Sequence, residues 1–224
     1  LTKSHGGAGA RNVGTKEANG RWIMYLDDDD RLLPQMAALS LDALEKATLP
    51  PPVAVLSGIE VVSAAGEVIS TRLPPPVRPL GAHFSLEELE TGCSYNTKQT
   101  MVVERQVIQQ IGGWDEAFRS RVHSELFLRL NPVCSILGLP MVTYRLYTHE
   151  GARVSSNSSL RQESFERLVD KHRGLFKAHP KMFANFVYEH ACTSYRFGQK
   201  GAAFSSLCWA LQLDPRHTLS RLLS

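Results

Sequence analysis

The sequence predicts an α/β domain over residues 1–155 and a helical extension over residues 156–224. Three observations predict it. The apolar run Trp22-Ile23-Met24-Tyr25-Leu26 ends directly in four aspartates, Asp27 to Asp30. An apolar run of that length, preceded by a helix signal, suits a central strand covered on both faces. Short strand-like and helical segments then alternate as far as Tyr147, as in layered α/β folds. From about Ser159 only helical spacing remains, in Leu160, Phe165, Leu168, Val169 and Leu175-Phe176.

Each element has a local reason. Gly6 to Ala10 reads as a flexible glycine loop, and Arg11 to Asn19 as a short helix burying Val13 and Ala18. Pro34 suits a helix start, and Met36, Leu39, Leu41, Ala43 and Leu44 give the stripe that follows. Val53 to Leu56 is a short strand. Ile59 to Ser63 and Glu67 to Thr71 are hairpin arms around Ala64-Ala65-Gly66. Pro74 to Pro79 excludes regular structure. Thr100 to Val103 is a strand, Arg105 to Ile111 a helix ended by Gly112-Gly113, His123 to Leu130 a helix and Met141 to Tyr147 a strand. In the extension, helices are expected at Pro180 to Phe197 and Gly201 to Leu213; a single helix-turn-helix unit supports no repeat array.

Composition narrows the function classes. Lys plus Arg number 25 against 22 Asp plus Glu, a net charge of +3 over 224 residues. A balance so near neutral gives no warrant for nucleic-acid binding. No apolar run reaches the roughly 20 residues that span a bilayer, so no transmembrane segment is expected. Cys93, Cys134, Cys192 and Cys208 form no CxxC pair and read as free thiols in a reducing compartment.

The aspartate run carries the most chemistry. A strand feeding carboxylates into a loop sets them at the carboxyl edge of a sheet, where open α/β folds bind ligands. Adjacent carboxylates repel unless solvated or shared by a cation. Oxygen ligands suit Mg2+ or Mn2+, which commonly keep substrate phosphates as further ligands. Asp27 and Asp29 share one side if the chain stays extended. The competing reading is a solvated acidic turn ahead of a helix.

The string GAGARNVGTKEANGRWIMYLDDDD resembles the family 2 glycosyltransferases of the GT-A fold. The matching residues are Gly6, Ala10-Arg11-Asn12, Gly14, Ala18, Gly20, Trp22 and Asp27 to Asp30. Later pieces follow in the family's order: GGWDEAF (Gly112 to Phe118), SELFLRL (Ser124 to Leu130) and YRLYTHEGARVS (Tyr144 to Ser155). The resemblance implies a mostly parallel sheet flanked by helices and inverting, metal-dependent transfer of a sugar from a nucleotide-sugar, first of all a UDP-sugar, to a saccharide or other hydroxyl acceptor. It implies that Asp27, Asp29 and His149 hold Mn2+ or Mg2+. It also implies that Arg11, Asp27, Asp28 and Arg153 contact the nucleotide-sugar, and that the enzyme is cytoplasmic, where nucleotide-sugars are made, with peripheral membrane attachment left open. Where the family carries a Glu-Asp pair, this chain has Val122-His123. His123 is then the expected general base, and Glu125, two residues on, the other candidate. Two residues on a helix turn about 200°, so the two cannot face one pocket.

Other roles stay open at this level. Trp114 is a sugar platform or, more in keeping with its Gly-Gly context, a packing anchor. Arg119 and Arg121 are surface charge or contacts to an acidic acceptor. The family's first strand precedes the glycine loop, so about two βα units of ~30 residues each are expected upstream, and weak donor binding by this chain alone. A nucleotidyltransferase, or a non-catalytic protein working through its helical extension, are the rival classes. The sugar, the base, the acceptor and the oligomeric state are not encoded legibly.

Overall fold

The computed structural model describes residues 6–148 and 157–223. They fall into two compact units, one of residues 6–84, 88–117 and 122–148, the other of residues 85–87, 118–121 and 157–223.

The first unit opens with α1 (Gly6–Glu17), β1 (Trp22–Ile23), β2 (Arg31–Leu32) and α2 (Met36–Lys46). It continues with β3 (Val53–Val62), β4 (Val68–Arg72), β5 (Val77–Arg78), β6 (Val103–Glu104), α3 (Arg105–Gln110), α4 (Val122–Leu130) and β7 (Ser135–Tyr147). The main sheet has the order β2-β7-β3-β4, with β5 also on β7. The long β3–β7 pair is parallel, Val53 opposite Ser135 and Val62 opposite Tyr147. β2–β7, β3–β4 and β5–β7 are antiparallel. The α/β class and the sheet flanked by helices stand as expected, but the sheet is mixed rather than mostly parallel, since β3–β7 is the one parallel pair among these strands. β4 is antiparallel because the chain turns back within a few residues, through Gly66 at φ 86°, and so short a link joins only antiparallel neighbours.

Five local expectations need correction. Gly6 to Ala10 is helical, not a loop: with Ala8 and Gly9 buried, α1 packs closely on its neighbours at its first turn. Trp22 to Leu26 is not a central strand, since only Trp22 and Ile23 pair, with β6, and Leu26 is 49% exposed. A short apolar run does not reveal whether its side chains serve a ladder or only packing. The segments 53–56 and 59–63 are one strand, and the last strand begins at Ser135 rather than Met141. The proline connector contributes β5 because Val77 and Arg78, flanked by prolines, keep their N–H donors. Arg78 is anchored there by Glu90, at 2.7 and 2.8 Å, and by the Tyr95 hydroxyl at 2.9 Å.

The core of this unit gathers Leu56, Phe84, Met101, Ile108, Trp114 and Phe127 with other buried residues from α1, β1, β3, β6, α3, α4 and β7. A smaller cluster of Ile59, Val61 and Tyr144 lies further along β3 and β7. The second unit is helical as expected: α5 (Ser158–Lys171), α6 (Arg173–Ala178), α7 (Pro180–Arg196), α8 (Lys200–Leu213) and α9 (Pro215–Leu223). Asn157 caps α5 by accepting the Leu160 N–H. Phe165, Phe176, Phe183, Phe186 and Trp209 pack as an aromatic layer.

Gly138 in β7 gives the first test. Its N–H donates to the Pro76 carbonyl at 2.7 Å, and a Cβ there would meet the Pro75 carbonyl oxygen at 2.1 Å. Gly138→Ala therefore forces the proline connector off β7. The expected loss is about 1–3 kcal/mol in urea unfolding, and an unchanged midpoint would show that the connector moves freely.

Candidate active site

The four aspartates form a turn rather than an extended segment: the Asp30 N–H donates to the Asp27 carbonyl at 3.1 Å. The picture of Asp27 and Asp29 side by side on an extended chain is therefore corrected. Asp28 and Asp29, at the corner, are exposed. Asp30 is turned inward, where its carboxylate accepts from the Tyr144 hydroxyl at 2.7 Å and from the Tyr147 N–H at 3.1 Å. Burial raises its pKa, a shift these two hydrogen bonds partly oppose.

Asp27 is held differently. It accepts from the Arg11 guanidinium at 2.5 Å, with side-chain exposures of 42% and 14% respectively. Arg11 comes from α1, and its guanidinium lies over the Trp114 ring, 5.0 Å from the centroid. On that ring Tyr25 and His123 each stand edge-on, both at 5.0 Å. Thr15 gives its hydroxyl proton to the Arg11 carbonyl, so Tyr25 donates to Thr15, at 2.6 Å. Arg11, paired to Asp27, and His123 thus meet at the Trp114 indole from separated pieces of sequence.

Trp114 is a packing anchor, 2% exposed. Its position is fixed by Asn12, whose side-chain oxygen accepts from the Trp114 N–H at 2.8 Å and whose amide donates to the Trp114 carbonyl at 2.9 Å. Gly113, at φ 71°, must be glycine here, because a Cβ would lie 2.7 Å from the Asn12 oxygen. The indole Nε1 is buried without a hydrogen-bond partner among the described residues.

The two base candidates separate clearly. Glu125 is 1% exposed, and both its oxygens accept from Arg129, at 2.7 and 2.6 Å. Arg129 in turn donates to the Ile111 and Gly113 carbonyls. The Glu125 carboxylate is thus engaged in holding the turn that carries Trp114. His123, one residue into α4, sits beside the indole, and its pKa is pushed down to about 3 by burial first and then by the charges of Arg11 and Lys98. It is a neutral imidazole at every physiological pH.

His149 and Arg153 lie outside the described residues. Among the described residues no group of three or more His, Cys, Asp or Glu side chains is gathered for a metal ion. The oxygen donors on the acidic turn still suit a hard divalent ion, which is commonly bound by one or two carboxylates plus substrate phosphates rather than by a closed protein cage. Sequence reasoning assigned no role to Asn12, although it lies within the Ala-Arg-Asn motif. It also missed Thr15, Lys98 and the Tyr144–Asp30 contact, for which a lone sequence carries no signal.

Known proteins similar to this chain agree with one another. The family described as glycosyl transferase family 2 matches residues 1–74. An uncharacterised glycosyltransferase of Bacillus subtilis, YwdF, is 28% identical over 192 residues, covering 84% of this chain and 68% of that protein. An uncharacterised glycosyltransferase of Haemophilus influenzae is 24% identical over 127 residues, 57% of this chain and 41% of that protein. The crystal structure of S. aureus TarS 1-349 superposes with a TM-score of 0.61 at 14% identity, over 97% of this chain and 64% of that one. That likeness shows the fold. No helix among the described residues is long and apolar enough to cross a membrane.

Three outcomes follow from this geometry. Asn12→Ala strands the buried Trp114 N–H, and about 1–3 kcal/mol of stability should be lost in denaturant unfolding. Glu125→Ala leaves Arg129 without its carboxylate and should cost about 3 kcal/mol or more; a purely catalytic carboxylate would leave the melting temperature unchanged. The unfolded His123 imidazole takes up a proton near pH 6.5, while the folded one resists to about pH 3. Stability attached to His123 is therefore complete above about pH 6.5 and is lost as the pH falls through that window. Ring NMR should detect no His123 protonation above pH 5.

Proposed function

We propose that this chain is a family 2 glycosyltransferase that carries out metal-assisted, inverting sugar transfer from a nucleotide-sugar at the Asp27–Trp114–His123 cluster. The observation that carries the reading is the meeting of Arg11, Asp27 and His123 around Trp114. The activity and substrates of the whole protein are part of this proposal, because the chain spans 68%, 41% and 64% of the three proteins compared.

Asp27 and Asp29 would hold Mn2+ or Mg2+, with His149 as a further ligand. A bound divalent ion supplies Lewis-acid stabilisation of the negative charge that grows on a departing nucleoside diphosphate. Arg11, already paired to Asp27, would orient the ribose or phosphate, with Asp28 and Arg153 completing the contacts to the donor. A UDP-sugar is the first donor to test. The bond from the anomeric carbon to the phosphate oxygen breaks as the acceptor oxygen attacks from the opposite face. The acceptor proton would pass to the His123 imidazole, which is neutral and therefore able to accept it.

A base with so low a pKa works only if its cation is stabilised in the complex. Arg11 and Lys98 oppose that cation. The negative diphosphate of a donor beside Arg11 would offset them and raise the His123 pKa toward a useful value. Glu125, committed to Arg129, is the weaker candidate for the base.

The test is a donor panel: protein, nucleotide-sugars, Mn2+ or Mg2+, and release of free nucleoside diphosphate as readout. Chelator-sensitive release is expected. Asp29→Ala should lower kcat by about a hundredfold or more, and His123→Ala by about 10²–10⁴. Release of pyrophosphate would favour the nucleotidyltransferase alternative, and turnover indifferent to Asp29→Ala would reject the metal site.

A further inference from the structure

The second unit contains a group of cations that the sugar-transfer reading does not use. Arg121 lies over the rings of Phe165 and Phe186, 5.4 and 5.5 Å from their centroids. One of its guanidinium nitrogens donates to His190 Nδ1 at 2.9 Å. Nδ1 is therefore the acceptor, and the neutral ring carries its proton on Nε2, which donates to the Gln162 side-chain oxygen at 2.9 Å. The ring itself is stacked on Phe165 at 3.7 Å. Arg161, on α5 beside Gln162, is nine-tenths buried, with its guanidinium over Phe197 at 4.5 Å.

Among the described residues these cations have no counter-charge: neither Arg121 nor Arg161 makes an ion pair, and Arg121 Nε is buried without a hydrogen-bond partner. One turn beyond His190 on α7, the Ser194 hydroxyl is also buried and unpartnered. Burial, and then the charge of Arg161, push the Arg121 pKa down to about 10. Burial, and then both arginines, push that of His190 down to about 3. Buried like charges of this kind are costly unless an anion joins them.

We propose that Arg121 and Arg161, with the Ser194 hydroxyl, form an oxyanion site that takes a phosphate group. Planar guanidinium forks match tetrahedral oxyanions with paired N–H donors. A phosphate carries roughly −1.5 to −2 charges at neutral pH, which matches two fixed cations, whereas a carboxylate would neutralise only one. Arg121 is partly open to solvent and provides the approach. His190 reports on the site, because it hydrogen-bonds Arg121 directly.

The experiment is calorimetric titration of the whole protein with inorganic phosphate, phenyl phosphate and acetate at matched ionic strength. The His190 ring signals are followed by NMR in parallel. Saturable binding of phosphate or its ester, weak or absent binding of acetate, and a saturable His190 shift are expected. Tighter binding of inorganic phosphate identifies a free anion as the ligand, and tighter binding of the ester a phosphorylated molecule. Arg161→Gln should weaken binding at least tenfold while circular dichroism stays native. Should that variant not fold, the His190 titration of the unaltered protein decides alone. A His190 signal indifferent to phosphate, equal responses to acetate, or full affinity in folded Arg161→Gln would overturn the proposal.

Discussion

The contact on which the acidic turn depends is the carboxylate of Asp30 inside the first unit. The Tyr144 hydroxyl and the Tyr147 N–H both donate to it, so the end of β7 grips the end of the aspartate run. Four adjacent carboxylates are tolerable because they do not share one environment. Asp30 is bonded inward, Asp27 is neutralised by Arg11, and Asp28 and Asp29 face water. The turn is thereby anchored at its last residue and steered at its first. What it offers outward is a short arc of oxygen donors, the chemistry a hard divalent cation needs.

A second constraint acts through Trp114. Asn12 satisfies both backbone groups of this residue, the left-handed Gly113 lets the chain approach Asn12, and Arg129 holds the Ile111 and Gly113 carbonyls. The buried Glu125–Arg129 pair is best understood as part of this support. Arg11 and His123 then meet the indole on separate contacts. In this setting burial and nearby cations keep the His123 imidazole uncharged.

Much of this was legible from residue patterns. The helices of α2, α3, α4 and the extension announce themselves by apolar spacing, and Ala64-Ala65-Gly66 by its turn chemistry. The resemblance implied roles for Arg11, Asp27 and His123, and the structure links the three through the Arg11–Asp27 pair and the Trp114 ring. What stayed hidden has physical causes. Trp22 to Leu26 is equally apolar whether it forms a ladder or simply packs, and pairing partners far along the chain decide which. The glycines of α1 signal a loop by propensity, yet close packing of Ala8 and Gly9 overrides it. Val77 and Arg78 gain strand character only from β7. The Tyr144–Asp30 bond joins residues more than a hundred positions apart, and no local pattern encodes it.

The central claim is that the turn from Asp27 to Asp29 binds a divalent cation together with a nucleoside diphosphate. Paramagnetic broadening tests it most directly: backbone amide signals are followed while substoichiometric Mn2+ is added in the presence of UDP. The account predicts selective loss of the Asp27, Asp28 and Asp29 signals, reversed by chelator, with the helical unit's signals retained. Uniform broadening, or broadening centred elsewhere with those three amides intact, would contradict it.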